Sequence, residues 1–263
     1  MGVGKAAWAV GFKERRNSML AEERRNKILE VLRDKRFVSV NDLLNELWVS
    51  RETIRRDINR LAAERRLIKT HGGAQSMNRE EPAFSSRLSV NLAAKRAIGE
   101  RAADLVPDNA TIIIDSGTTC LYTAESMMDR RNLTVFTNDI HVAGKLADRN
   151  ENRIFLLGGE LVRGEGATNG LDTTQMLRNY FVDIAIIGIS SISDDGVLGD
   201  YSREAAVLRQ TMIEQARTVV LVGDHQKFGW NAGVFVGGMK NVSYVVTNCK
   251  PAQALVRVFR NTV

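Results

Sequence analysis

Hydrophobic positions recur at helical spacing in three short segments near the start of the chain: EERRNKILEVLRDK, NDLLNELW and SRETIRRDINRLAA. Asn41 is expected to cap the second helix and Ser50 the third, because both side chains can accept a backbone amide hydrogen bond. Trp48 and Val49 leave only a short connection between these two helices. The pattern therefore predicts a helix-turn-helix.

The third predicted helix has one apolar side and one polar side. At about 100° per residue, its apolar stripe faces the first two helices and its polar side faces outward. Arginine and asparagine on such a face can bind base edges or phosphates in the DNA major groove. The apolar stripe contains Ile54, Ile58, Leu61 and Ala62. The residues predicted to contact DNA are Ser50, Glu52, Thr53, Arg55, Arg56, Asn59 and Arg60.

The segment Arg65–Ala74 has the pattern of a two-stranded wing, and its glycines allow a turn. Lys69 and His71 are then expected near phosphates or the minor groove. A solvated arginine-rich face on an ordinary helical domain is the alternative. Residues 1–79 hold 18 basic and 10 acidic side chains, whereas residues 80–263 hold 19 and 21, so the wing, the tight turn and the charge favour a polyanion partner for the first part of the chain.

From residue 91 onward the pattern changes to short apolar runs alternating with helical segments. The runs ATIIID, LTVFTN, RIFLLGG, DIAIIGIS, TVVLVGD and VSYVVTN predict strands, and PAQALVRVFR predicts a closing helix. Because the strands are apolar throughout, we expect a mainly parallel sheet with helices on both faces. The predicted organisation is an extension at 1–19, a winged helix-turn-helix at 20–75, a linker at 76–90 and a doubly wound α/β domain at 91–263.

Polar residues and glycines follow several of the predicted strands. Such sheets bind ligands at the carboxyl ends of their strands, and a helix that begins there offers free amides to a phosphate. Each position taken alone is better explained as a turn, a cap or a surface charge, but together they favour a ligand site. The strand-end residues predicted to bind an anionic ligand are Asp115, Ser116, Gly117, Thr118, Thr119, Thr137, Asn138, Gly158, Gly159 and Lys227.

Composition narrows the setting. Of the 263 residues, 44% are hydrophobic, and no apolar run reaches the roughly 20 residues of a membrane helix. The two cysteines, Cys120 and Cys249, have no metal-ligand spacing, and the three histidines are scattered. We therefore expect a cytoplasmic protein with no metal and no cofactor.

The segments VSRETIRRD and HGGA, followed by DSGTT, LLGGEL, DIAIIGI and DHQKFG, strongly resemble the DeoR family of bacterial transcriptional regulators. The resemblance runs from about residue 20 to the end. It implies that the helix with TIRRD recognises DNA, and that the second part is similar to sugar-phosphate isomerases and senses a phosphorylated sugar. Leu171, Arg209 and Gln226 depart from the family pattern near the expected sugar end, so the particular effector stays open.

Three functions remain in view. The favoured one is a repressor of a sugar-catabolism operon that a phosphorylated sugar releases from its operator, working as a homo-oligomer. The first alternative is a sugar-phosphate isomerase with an appended DNA-binding domain. It would need a carboxylate base, for which Asp115, Asp200, Glu204 and Asp224 are candidates, but no spacing singles out an acid–base pair. The second alternative is an activator on the same scaffold.

Overall fold

The computed structural model describes residues 19–35, 37–70, 72–77 and 81–250. Within them the chain forms two compact units that divide between Pro82 and Ala83. His71, nearly all of the predicted extension at 1–19 and the predicted closing helix lie outside the described residues.

Three helices form the first unit, as the periodicity predicted. They are α1 (Ala21–Lys35), α2 (Val40–Leu47) and α3 (Arg51–Ala63). The apolar stripe of α3 is buried, with Ile54, Ile58 and Leu61 at most 2% exposed. The core it enters also contains Ile28, Leu32, Leu43 and Leu47 from the other two helices.

The helix caps agree with the sequence at α3 and differ at α2. Ser50 caps α3, and its Oγ accepts a hydrogen bond from the Thr53 amide at 3.1 Å. At α2 the predicted cap, Asn41, lies inside the helix, and the capping residue is Ser39. Ser39 Oγ accepts from the Asp42 amide at 3.1 Å, and the Asp42 carboxylate accepts from the Ser39 amide at 3.1 Å. This reciprocal arrangement satisfies two helix-end amides, which Asn41 alone could not do.

The wing is a three-stranded antiparallel sheet with one strand more than predicted. Its strands are β1 (Phe37–Ser39), β2 (Leu67–Lys69) and β3 (Gly73–Ser76), and β3 lies in the middle. A Cβ on Gly73 would lie 2.0 Å from the carbonyl oxygen of Val38. Gly73 is therefore required by the close approach of β1 and β3, in addition to any role near the turn.

The second unit begins with a helix that the sequence assigned to a linker. Residues 84–89, within the linker expected at 76–90, form α4 (Phe84–Ser89), and α5 (Leu92–Ala103) follows two residues later. Phe84 is buried, and its ring stacks on that of His141 with centroids 4.9 Å apart. The polar segment EEPAFSSRLS gives no sign of this contact, because the contact depends on a residue 57 positions further along the chain.

The remaining elements alternate between strand and helix. In chain order they are β4 (Thr111–Ile114), α6 (Thr118–Ser126), β5 (Thr134–Thr137), α7 (Ile140–Leu146), β6 (Arg153–Leu156), β7 (Glu160–Val162), β8 (Ala167–Asn169), α8 (Leu171–Leu177), β9 (Val182–Gly188), β10 (Ser191–Ile192), β11 (Val197–Asp200), α9 (Arg203–Glu214), β12 (Ala216–Val222), β13 (Val234–Gly238) and β14 (Tyr244–Val246). Short 3-10 turns cover His225–Lys227 and Met239–Asn241.

Six strands form a wholly parallel sheet in the order β14-β12-β9-β4-β5-β6. Its two faces bury separate cores: Ile112 and Ile114 face α5, α6 and α7, while Ile113 faces α8 and α9. The predicted doubly wound α/β fold is therefore confirmed. If these six strands are numbered 1 to 6 along the chain and read from β6 to β14, their order is 3-2-1-4-5-6. The order therefore reverses between β4 and β9, and a ligand crevice is expected there.

The sequence did not indicate the smaller strands. The β7–β8 hairpin and the antiparallel sheet β10-β11-β13 consist of strands of two to five residues. Such strands are too short to show a two-residue period, and contacts distant in sequence define them.

Candidate nucleic-acid interface and ligand site

The polar face of α3 is presented to solvent. Glu52, Arg55, Arg56, Asn59 and Arg60 are exposed, and Thr53 is half-buried. Ser50 and Thr53 are joined through their hydroxyl groups at 2.8 Å, so both are engaged at the start of the helix. Lys69 is exposed on β2, while the structure does not describe His71.

The arginines on this face differ in how far they are already paired. Arg60 Nε donates to Glu64 at 2.6 Å, and this hydrogen bond lowers the pKa of that carboxyl. Arg55 and Arg56 make no ion pair with any side chain that the structure describes. Those two are therefore the better placed to bind an external anion.

Asp57 is a structural residue of α3 that the sequence reasoning overlooked. It is 4% exposed, and its carboxylate pairs with Arg24 and, at 3.8 Å, with Arg25, both on α1. The signal was available, since Asp57 follows Ile54 by three positions and so falls on the buried stripe. Two arginines of the basic segment thus hold the helices together instead of facing solvent.

In the second unit, Asp115 lies at the point where the strand order reverses. Its carboxylate accepts hydrogen bonds from the amides of Ser116 at 2.7 Å and of Gly188, the last residue of β9, at 3.0 Å. Arg209, from α9, donates to Asp115 at 2.7 Å and also pairs with Asp200. Burial raises the pKa of Asp115, while Arg209 and the two amides oppose that rise. This buried triad joins β4, β9, β11 and α9.

The DSGTT loop, Asp115–Thr119, is partly satisfied from within the protein. The Gly117 amide donates to Asp139 at 3.2 Å, so of the predicted phosphate-binding amides those of Ser116 and Gly117 already have acidic partners. Thr118 and Thr119 open α6, whose N-cap Gly117 supplies no side-chain hydrogen bond. The first turn of α6 is therefore the part of the loop that retains free helix-end amides.

Two of the strand-end residues after β5 are buried. Thr137 Oγ1 accepts from the Asp139 amide at 3.1 Å. Asn138 Nδ2 donates to the carbonyl of Thr168 at 2.8 Å. Asn138 Oδ1 is also buried and has no hydrogen-bond partner among the described residues. That oxygen is an acceptor a ligand hydroxyl could satisfy, because a buried polar atom without a partner is costly.

The other strand-end residues follow two different strands of the sheet, β6 and β12. Gly158 and Gly159 are exposed after β6, and Thr173 Oγ1 donates to the Gly158 carbonyl at 2.6 Å. Lys227 is half-buried after β12, beside Gly223. In the sheet, β9 lies between β4 and β12, so two strand spacings, about 10 Å, separate the strand of Lys227 from that of the DSGTT loop.

A residue from the predicted linker lies close to the DSGTT loop at this end of the sheet. Arg87, on α4, places Nη1 3.9 Å from the position that a Cβ on Gly117 would occupy. The sequence reasoning missed it because α4 was not predicted. Among the described residues no group of three or more histidine, cysteine or acidic side chains could hold a metal ion. None of the described helices is long and apolar enough to cross a bilayer.

A winged helix-turn-helix with an exposed arginine face, joined to a parallel sheet with polar groups at its switch point, defines a DNA-binding transcriptional regulator with a sensor unit. Residues 24–80 match the family description "DeoR-like helix-turn-helix domain", and residues 90–249 match "DeoR C terminal sensor domain". The chain belongs to the DeoR family.

Curated relatives are similar over most of their length. The chain is 34% identical over 242 residues to the glycerol-3-phosphate regulon repressor of Escherichia coli (strain K12), covering 91% of this chain and 96% of that protein. It is 32% identical over 238 residues to the transcriptional repressor GlcR of Bacillus subtilis (strain 168), covering 90% and 92%. A solved ribose 5-phosphate isomerase A from Methanocaldococcus jannaschii, 17% identical with a TM-score of 0.39, covers 52% of this chain and 55% of that one.

Proposed function

We propose that this protein represses an operon for sugar or sugar-phosphate catabolism and that a phosphorylated sugar releases it from its operator. The observation that carries the proposal is the exposed face of α3, where Arg55 and Arg56 stand free above a buried apolar stripe. The matched family is one of DNA-binding regulators, and relatives are named as repressors, one of them of a glycerol-3-phosphate regulon. We propose repression rather than activation because these relatives are named as repressors.

In this proposal α3 enters the major groove. Arg55, Arg56 and Asn59 contact bases and phosphates, Arg60 exchanges Glu64 for a phosphate, and Ser50 and Thr53 orient the start of the helix. Glu52 is placed to accept from a base amino group. Lys69 and His71 on the wing contact the backbone of the neighbouring groove.

The effector is proposed to bind at the carboxyl edge of the parallel sheet. Its phosphate lies on the first turn of α6, where Thr118 and Thr119 supply hydroxyls and helix-end amides, and its hydroxyls reach Asn138. By strand spacing, Lys227 lies about 10 Å along this edge from the DSGTT loop. Its flexible side chain is proposed to close over a small ligand bound between them. The glycines at 158 and 159 bound the site on the side of β6.

The sensor unit is proposed to bind its ligand without converting it. Two of the candidate general bases, Asp115 and Asp200, are 1% exposed and share Arg209, so neither is free to accept a proton from a substrate carbon. Asp224 is 3% exposed and accepts from Asn91 at 3.1 Å and from the Gln226 amide at 2.9 Å. Glu204 is exposed and accepts from Ser202 at 2.9 Å.

The protein is further proposed to act as a dimer or a higher even-numbered oligomer. Helix-turn-helix proteins gain affinity by engaging two half-sites about one helical turn apart, or a multiple of that distance. The exposed faces of the DNA-binding unit are basic, so the sensor unit is the better contact surface between subunits.

Two measurements on purified full-length protein test the proposed function. A mobility-shift assay with the DNA upstream of its own gene should show specific binding. A thermal-shift panel of sugar phosphates beside their unphosphorylated counterparts should show stabilisation by phosphorylated members alone. Turnover of any panel member would instead favour the isomerase alternative, and failure to bind any DNA specifically would end the repressor proposal.

A further inference from the structure

Helix α4 carries a cation close to the DSGTT loop of the proposed effector site. α4 is the first element of the second unit and begins two residues after Pro82. Arg87 leaves this helix toward the DSGTT loop, where Nη1 stands 3.9 Å from the site of an added Cβ on Gly117. Its side chain is 15% exposed, so the guanidinium is largely shielded from solvent.

The position of Arg87 is held from several directions. Its guanidinium carbon lies 5.8 Å from the centroid of the Phe84 ring, one turn earlier on α4, and Phe84 stacks on His141. Lys95, 4% exposed on α5, donates its ammonium group to the carbonyl of Arg87. The arginine therefore belongs to an ordered arrangement, and it is not a surface side chain that happens to fold over the loop.

One partner of Arg87 is Glu165, which lies in the turn between β7 and β8. This turn is fixed to the segment after β5: the Ile140 amide donates to the Gly166 carbonyl at 2.9 Å, and the Thr168 amide to the Asn138 carbonyl at 2.8 Å. Asp139, in the same segment, accepts from the Gly117 amide. Three links thus surround the loop: the Arg87–Glu165 ion pair, the backbone hydrogen bonds of the turn, and the hydrogen bond from Gly117 to Asp139.

We propose that Arg87 is a ligand for the effector phosphate and that Glu165 holds its place when no effector is bound. The proposal rests on the proposed function of the sensor unit and adds to it a specificity-determining residue. A guanidinium binds carboxylate and phosphate with the same two-pronged geometry, so one can replace the other without moving the arginine far. A phosphate dianion carries more charge than the carboxylate and therefore competes for Arg87.

Exchange of Glu165 for a phosphate at Arg87 accounts for two points that a helix N-terminus alone does not: how an anion is tolerated near acidic residues, and how phosphorylated ligands are selected. Asp115 begins the loop and Asp139 accepts from its Gly117 amide, so their charge alone would disfavour an anion there, whereas Arg87 and Arg209 offset them. In addition, a sugar without a phosphate cannot displace Glu165, so the ion pair makes the site selective for phosphorylated ligands. Release of Glu165 also removes this ion pair between the β7–β8 turn and α4, the helix nearest in sequence to the DNA-binding unit.

Titration calorimetry on full-length protein tests this inference. The ligands are glycerol 3-phosphate, ribose 5-phosphate and glucose 6-phosphate, each beside its unphosphorylated counterpart, together with inorganic phosphate. Arg87→Gln should weaken binding of the phosphorylated ligand by about tenfold or more and leave binding of its counterpart unchanged. Glu165→Gln should tighten phosphorylated-ligand binding by about threefold or more, because the competing carboxylate is gone.

Arg101→Gln is the matched control. Arg101 lies on α5 and pairs with Asp104 at 3.3 Å on the surface, so its loss removes the same charge and a solvent-exposed ion pair away from the loop. Arg101→Gln should bind every ligand as the parent does. The gain expected for Glu165→Gln cannot result from misfolding, so it decides the matter even where Arg87→Gln is unstable.

The outcomes separate the two proposals. If the parent binds a phosphorylated ligand but Arg87→Gln binds it as tightly, the role of Arg87 is overturned and the proposed function stands. If Glu165→Gln binds no tighter than the parent, the exchange with Glu165 is overturned. If the parent binds no phosphorylated ligand, the proposed effector class fails together with this inference.

Discussion

Replacing Arg209 by methionine should destabilise the sensor unit more than any surface change. Arg209 is the shared cation of two buried carboxylates, Asp115 and Asp200, and all three side chains are at most 10% exposed. The substitution keeps much of the side-chain volume but leaves both carboxylates without their cation. Removing one partner of a buried ion pair costs about 3–5 kcal/mol, and we expect a loss of free energy of unfolding in this range.

The loss should depend on pH. Burial raises the pKa of Asp115, and Arg209 is the largest influence that opposes the rise. Without Arg209 the folded-state pKa rises further, so the folded protein binds a proton more readily than the unfolded chain. Stability from this protonation is present at low pH and is lost as pH rises through the folded-state value. The deficit of Arg209→Met should therefore be larger near about pH 8 than near about pH 5.

Chemical denaturation followed by the fluorescence of Trp230 measures the effect. Trp230 is 7% exposed within the sensor unit, and Trp8 and Trp48 are replaced by phenylalanine so that only this unit is observed. The control is Arg209→Met combined with Asp115→Asn and Asp200→Asn, which removes all three charges and should recover most of the stability. A loss below about 1 kcal/mol for Arg209→Met, or no recovery in the control, would refute the argument.

Three further predictions concern the DNA-binding unit and the assembly. Gly73→Ala should lower the free energy of unfolding by about 1–3 kcal/mol, because the added Cβ forces β1 away from β3. Gly72→Ala should change it little, because the added Cβ meets open space. Equal changes in melting temperature for the two variants would contradict this. Arg56→Ala should keep the fold but weaken operator binding. A lost phosphate contact should reduce the slope of the logarithm of the binding constant against the logarithm of salt concentration by about one, and a lost base contact should cost ~1–3 kcal/mol. Operator binding equal to that of the parent at every salt concentration would contradict this prediction. Light scattering should give at least twice the chain mass of 29.2 kDa, and a monomer at working concentration would exclude the oligomer.

Local chemistry explains why much of the fold was predictable from the sequence. The stripe of α3, the Ser50 cap and the six strands of the parallel sheet each follow from residues within a few positions of one another. β-branched runs such as the one in β9 are typical of strands buried on both faces, as in a parallel sheet covered by helices. The class of protein followed from these elements together with the basic charge of the first unit.

What the sequence could not supply depends on contacts between distant residues. The cap of α2 went to Ser39 because Asp42 reciprocates its hydrogen bond, and β1 became a strand only through its pairing with β3. Helix α4 lies in a polar segment, and its position depends on His141 and Glu165 far along the chain. Arg87 was missed for that reason. The sequence predicted free amides where the helix after DSGTT begins, and it could not show that the amides of Ser116 and Gly117 donate to Asp115 and Asp139.

Release of the operator by a phosphorylated sugar tests the central claim most directly. The assay is fluorescence anisotropy of a labelled upstream DNA fragment with full-length protein, titrated with each sugar phosphate and, separately, with its unphosphorylated counterpart. We predict that at least one phosphorylated sugar lowers the anisotropy to the value of free DNA at a concentration where its counterpart has no effect. Retention of the DNA with every phosphorylated sugar, or equal release by the counterparts, would contradict a phosphate-responsive repressor.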